Sequence, residues 1–217
     1  DVQLASGENL PLLGHDLGLL DSINRTDDTL FNHYKNLKSL DWDENEFDYS
    51  TCRNEFEKGD VDSGSMIDTI AWQWETDTVV ARILQKVIAS FVTDSDAILG
   101  YARIIDNENL HALTYSEIKR TAFVDPNVIM AKVLANEAAH ARLSEPGKIF
   151  EEARIAAAKY ELGMITREEA LPIAILFFAA LPSLERAQFM PSFAITAAYH
   201  SVGRFVAIGN GVQKICQ

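Results

Sequence analysis

The chain has 217 residues, 47% of them hydrophobic, and a formal net charge of −13. That length supports one domain with a sizeable core, and the acidic balance argues against binding to a nucleic-acid backbone or an anionic membrane. Cys52 and Cys216 lie far apart in no ligand-like pair, no apolar run reaches the ~20 residues of a membrane span, and the sequence opens Asp1-Val2-Gln3 rather than on a signal peptide. A reducing, cytoplasmic setting is expected.

Residues 1–25 are rich in Gly, Leu and Pro without helical period and are expected to form an extended arm, with a helical bundle over residues 26–217. Leu30, Phe31, Tyr34 and Leu37 predict a short amphipathic helix over 26–40. The acidic run Asp41-Trp42-Asp43-Glu44-Asn45-Glu46-Phe47-Asp48 follows, in which Trp42 reads as an anchoring aromatic. Ile67, Ile70, Trp74, Asp77, Ala81, Leu84 and Ile88 share one face of a helix predicted over about 65–92. Asp77 stands alone in that apolar stripe, and a buried aspartate without a partner is costly unless something binds it.

Thr93-Asp94-Ser95-Asp96 reads as a capped break. The helix after it, ended by Val124-Asp125-Pro126, places Glu108, His111 and Tyr115 on one stripe with Tyr101, Ile104, Ile105, Ala112, Ile118 and Ala122. Glu-x-x-His on such a face is a metal-ligand pattern, because a cation offsets the cost of burying a carboxylate beside an imidazole. Taken alone the motif reads more often as a surface ion pair or a core histidine.

A second Glu-x-x-His, Glu137 to His140, falls on a helix predicted over 127–142, close to a break at Ser144-Glu145-Pro146-Gly147, and is the weaker candidate. A helix over 148–162 is closed by Gly163, and Thr166-Arg167-Glu168-Glu169 is a capping box for the next. Residues 170–196 are strongly apolar, with Phe178, Leu181, Glu185, Phe189, Ser192 and Phe193 on one stripe, Glu185 being a third isolated carboxylate. Pro182 and Pro191 are expected to bend or restart that helix, and a last helix is expected from Gly209 or Gly211. No strand alternation, Gly-rich phosphate loop, Gly-x-Ser-x-Gly elbow or cysteine cluster is present, so the reading is all-α and gives no footing to nucleotide hydrolysis or to serine or thiol catalysis.

Asp77, then Glu108 with His111, then Glu185, each from a different helix, is most of the di-metal carboxylate pattern of helical bundles. The spacing of Asp77, Glu108, His111 and Tyr115, the Leu40-Asp41-Trp42-Asp43-Glu44-Asn45-Glu46-Phe47-Asp48 run, Val124-Asp125-Pro126 and Leu184-Glu185-Arg186-Ala187-Gln188-Phe189-Met190-Pro191-Ser192-Phe193 together resemble the radical-generating small subunit of class I ribonucleotide reductase. The resemblance implies a ferritin-like helical bundle in which Asp77, Glu108, His111 and Glu185 bind two irons, a manganese and an iron, or two manganese ions. It implies a stable radical on Tyr115, an apolar pocket of Phe189, Phe193 and Ile215 around it, and a route through Trp42 to the large catalytic subunit. A homodimer is the usual assembly.

The same resemblance implies one more carboxylate and histidine shortly after Gln217, so this chain holds four of about six protein ligands. The bundle is accordingly expected to be incomplete at its C-terminus, as the N-terminal part of a split or shortened subunit that needs a complementary C-terminal fragment. Pro191 departs from the pattern. Two other functions fit the residues: a different ferritin-like di-metal oxidase with no use for Tyr115 or Trp42, and a metal-free structural subunit whose core polar groups pair with each other.

Overall fold

The computed structural model describes residues 10–14, 20–23, 25 and 27–216. Its elements are α1 (Asp28–Ser39), a 3-10 turn (Tyr49–Cys52), α2 (Arg53–Glu57), α3 (Val61–Phe91), α4 (Ser95–Ala122), α5 (Pro126–Leu134), α6 (Glu137–Glu161), α7 (Arg167–Ser183), a π turn (Leu184–Gln188), α8 (Met190–Ser201) and α9 (Val206–Ile215). The architecture is all-α; among the described residues β pairing is limited to one isolated bridge, Leu12 to Val92.

Two compact units share the long helices. The first combines residues 1–41, 80–107 and 145–181. Here Asp27 caps α1 and Asp94 caps α4, each carboxylate accepting two backbone N–H groups of the helix that follows. The expected arm lies mostly outside the described residues. Of its length, residues 10–14 form a short strap over the turn between α3 and α4: Leu13 N–H donates to Phe91 O at 2.7 Å, Thr93 N–H donates to Pro11 O at 3.1 Å, and the Tyr160 hydroxyl donates to Leu13 O at 2.9 Å. Phe150 meets Phe177 edge-on, and Phe178 stacks between Phe177 and Tyr101.

The second unit combines residues 42–79, 108–144 and 182–217. Its core joins Tyr49, Cys52, Phe56, Met66, Ile70, Tyr115, Ile118, Phe123, Phe205, Ile208, Val212 and Ile215. Phe56 lies between the rings of Phe123 and Phe205 at 4.3 and 4.9 Å. Arg204 pairs with Glu55, Asp60 and Asp62, tying the loop before α9 to α2 and to the start of α3.

Three features differ from the sequence reading. The helix expected over 127–142 is two helices, α5 and α6, parted at Ala135 and Asn136, and α6 runs straight through Pro146 where a break was expected. A proline removes one intrahelical bond, and the burial of Phe150, Ala153, Ala156 and Ala157 on the turns that follow holds the helix together regardless. The last helix begins at Val206, not at Gly209 or Gly211. Phe205 enters it with φ +49°, its N–H held by the Glu55 carboxylate. The glycines inside α9 are packing residues rather than breakers. The third difference concerns apolar length: the helical stretch Arg167–Ser201 is long and apolar enough by composition to cross a membrane, at mean hydropathy 1.5, where the sequence was read as having no such run.

Both prolines in that stretch leave their mark. Pro182 precedes the π turn, in which Phe189 N–H reaches back five residues to Leu184 O at 3.2 Å, and Pro191 occupies the first turn of α8, where its missing N–H costs nothing. The capping box is also formed, with Thr166 N–H donating to the Glu169 carboxylate at 2.7 Å and Glu169 N–H donating to the Thr166 hydroxyl at 3.3 Å.

A methyl group on Gly211 would lie 2.6 Å from the Tyr49 hydroxyl and 3.1 Å from its ring, inside a rigid core. Gly211→Ala is expected to destabilise the protein by about 1–3 kcal/mol, the usual cost of overpacking, read as a lower urea midpoint at unchanged slope.

Candidate metal centre

The second unit contains the whole site. The π turn and two helices bring four chemical groups to one small cavity of about 180 Å³: Asp77 from α3, Glu108 and His111 from α4, and Glu185 from the π turn. Asp77 reaches it because it lies in register with Ile70 and Trp74 on the inward stripe of α3, and Glu108 and His111 because three residues separate them on α4. One donor atom from each of Asp77, Glu108 and His111 falls within 4.8 Å of the others. Glu185 lines the same cavity outside that group of three.

The electrostatics of the cavity are unresolved by protein partners. Asp77 and Glu108 are 2% and 7% exposed. One carboxylate oxygen each of Asp77, Glu108 and Glu185 is buried and accepts no hydrogen bond, and the Tyr115 hydroxyl is buried without a partner as well. His111 Nδ1 lies 3.6 Å from Glu108 Oε2, too long for a hydrogen bond. Burial, then the charges of Glu108 and Glu185, holds the Asp77 carboxyl well above the usual carboxylate range, and burial with the Glu108 charge pushes Glu185 up to about 8. Tyr115 is pushed well above the ordinary phenol value by burial first and by the charge of Asp77 next.

Buried like charges with open lone pairs are stable only when protonated or when a cation neutralises them. Carboxylate oxygens with one imidazole nitrogen make a donor set that suits Fe²⁺ or Mn²⁺, and the orphaned oxygens of Asp77, Glu108 and Glu185 fit such an ion.

Phe189, Phe193 and Ile215 line the cavity beside these groups. Phe189 stacks on Trp72 at 4.7 Å and on Phe193 at 5.6 Å. Trp42 lies off the cavity, partly buried against the core cluster that contains Tyr115. The second Glu-x-x-His stands elsewhere: Glu137 and His140 are exposed on the first turn of α6, and His140 Nε2 pairs with Glu75 at 3.2 Å.

No protein-family model and no curated protein sequence matches the chain. Solved structures do. The dimanganese(II) NrdF of Streptococcus sanguinis superposes with a TM-score of 0.68 at 16% identity, over 90% of this chain and 64% of that one. The ribonucleotide reductase R2 subunit of Clostridium botulinum superposes with a TM-score of 0.65 at 17% identity, over 88% of this chain and 57% of that one. The fold is that of ribonucleotide reductase small subunits. At such identities the likeness speaks for the fold, and the chain spans less than two thirds of the length of either structure.

On this small-subunit fold the cavity has further walls that sequence reasoning passed over. Arg186 and Cys216 line it, and Gln73 lies one turn before Asp77, fully buried with both amide atoms unpartnered. Gln73 was readable in principle as a polar residue four positions from Asp77 on the same face. Arg186 and Cys216 each adjoin a residue already singled out, but only the π turn and the packing of α9 bring them to the cavity.

Because the Glu185 carboxyl binds its proton up to about pH 8 in the folded state and only up to about 4.5 when free, its contribution to stability is fully present below 4.5 and is lost as pH rises through 8. Thermal melts of metal-free protein are expected to show a Tm that falls between pH 5 and pH 9. Glu185→Gln, which cannot ionise, should flatten that slope; an unchanged slope in the variant would show that this carboxyl is not the source.

Proposed function

We propose that the chain is a metal-dependent oxidoreductase subunit of the ribonucleotide reductase small-subunit type. The observation that carries this reading is the convergence of Asp77, Glu108, His111 and Glu185 on one cavity, three of them with buried oxygens that no protein group satisfies, next to the buried and unpartnered phenol of Tyr115. Asp77, Glu108, His111 and Glu185 would hold the metal. When bound, iron or manganese supplies one-electron oxidising power at the cavity.

The protein's own groups do the rest. Tyr115 would give up an electron to the bound metal and its phenolic proton to a neighbouring carboxylate, Asp77 being the one whose charge acts on it most, since a charged phenol cation is untenable in a buried site. After burial itself, Asp77 is the strongest influence on that phenol. Phe189, Phe193 and Ile215 keep water and external reductants away from the oxidised ring. Trp42, packed against the same core as Tyr115, passes the oxidising equivalent to a large catalytic subunit where ribonucleotides are reduced. The reading includes a dimeric, cytoplasmic small subunit as in other proteins of this type.

Metal analysis after equilibration with Fe²⁺ or Mn²⁺ and gel filtration tests the centre. Asp77→Asn and Glu108→Gln are expected to weaken binding by roughly tenfold or more, at least the loss that follows removal of an outer-shell partner. Tyr115→Phe is expected to keep the metal and lose any tyrosyl signal in electron paramagnetic resonance after exposure to oxygen. Equal metal content in the wild type and both carboxylate variants would overturn the assignment.

A further inference from the structure

Arg142 stands on α6 outside the metal cavity, yet it touches two of the three elements that carry carboxylates into it. Its guanidinium donates to the Gln188 carbonyl at 2.5 Å and lies over the Trp72 ring, 4.0 Å from the centroid. Gln188 ends the π turn three residues after Glu185, and Trp72 lies on α3 five residues before Asp77. The Trp72 ring in turn packs at 4.7 Å against Phe189, which lines the cavity. One surface cation thus joins α6, α3 and the π turn, all within the second unit.

A π turn puts the backbone ladder out of step where it ends. Phe189 N–H reaches back to Leu184 O at 3.2 Å, and the α-helical pattern resumes with Phe193 N–H donating to Phe189 O at 3.1 Å. Gln188 O lies between those two bonds and accepts from Arg142. A hydrogen bond from a charged donor is roughly twice as strong as a neutral one, and a planar guanidinium can offer an N–H edge to a carbonyl while its face rests on an aromatic ring. Trp72 is buried, so that ring is a fixed anchor. Glu185 needs such an anchor, because its buried oxygen has no protein partner and the place of its carboxylate is set by the backbone that carries it.

Resting on the metal-centre reading above, we propose that Arg142 is a positioning residue for the centre: by tying the π turn to Trp72 it holds Glu185 where a cation bound by Asp77 and Glu108 can meet it. Arg142 makes no contact with the cation and acts through Glu185 alone.

Titration of the full chain with Mn²⁺, following the free ion by electron paramagnetic resonance, provides the test. Arg142→Ala is expected to weaken binding roughly tenfold, the scale on which losing a supporting contact changes metal affinity. Arg142→Lys, which keeps the charge but not the planar fork, is expected to weaken it in the same direction, and it serves the comparison if the alanine variant does not fold. Arg120→Ala removes an equally exposed arginine, paired with Glu117 on its own helix, and is expected to bind as the wild type does. In a Glu185→Gln background the Arg142→Ala substitution is expected to change affinity by no more than about twofold, since two residues acting through one contact are not additive. Wild-type affinity in Arg142→Ala or Arg142→Lys, or a tenfold loss that persists in the Glu185→Gln background, overturns the positioning role and leaves the metal centre standing. Wild type and Asp77→Asn binding Mn²⁺ alike overturns the centre itself.

Discussion

Carboxylates that cannot all be ionised at once govern this molecule. Asp77, Glu108 and Glu185 share one cavity, and the unpaired oxygens of the first two are shielded from water by helices that offer them no hydrogen-bond donor. Coulomb repulsion across a poorly solvated gap is strong, so without a cation the group must take up protons, as the raised titration of Asp77 and Glu185 reflects. Such an arrangement destabilises the fold locally. It persists because the surrounding apolar packing is extensive enough to hold α3 and α4 in place.

That packing comes from the second unit's core, where Tyr115, Ile118, Met66 and Ile70 fill the space between these helices. Tyr115 is thus both part of the scaffold and neighbour to the charges. Its ring is fixed by burial while its hydroxyl is left without a partner. A phenol so placed is shielded from solvent and lies within the field of Asp77.

Two backbone devices bring the remaining groups to the cavity. The π turn after Pro182 interposes a wider coil between α7 and α8 and carries Glu185 on it. A single-turn widening of this kind commonly marks a functional position in a helix. At the other wall, Gly211 lets α9 approach Tyr49 closely, and the left-handed Phe205 starts that helix early enough for Ile215 and Cys216 to arrive at the cavity.

The all-α character, the inward stripes of α3 and α4, and the candidacy of Asp77, Glu108, His111 and Glu185 were legible in the sequence, because helical periodicity is a local property and an isolated charge on an apolar stripe is visible in it. The capping box at Thr166 was legible for the same reason. Pro146 inside α6, the start of α9 at Val206 and the pairing of His140 with Glu75 were not, although Glu137 and His140 were already the weaker of the two Glu-x-x-His motifs. Those outcomes depend on long-range packing: Phe150 and the alanines after it hold α6 through its proline, Gly209 and Gly211 are chosen for what lies against them, and His140 pairs with Glu75 on a neighbouring helix. Local sequence thus determined which residues face inward, while only the tertiary structure decided which of those faces meet at one point, since convergence is set by contacts between residues far apart in the chain.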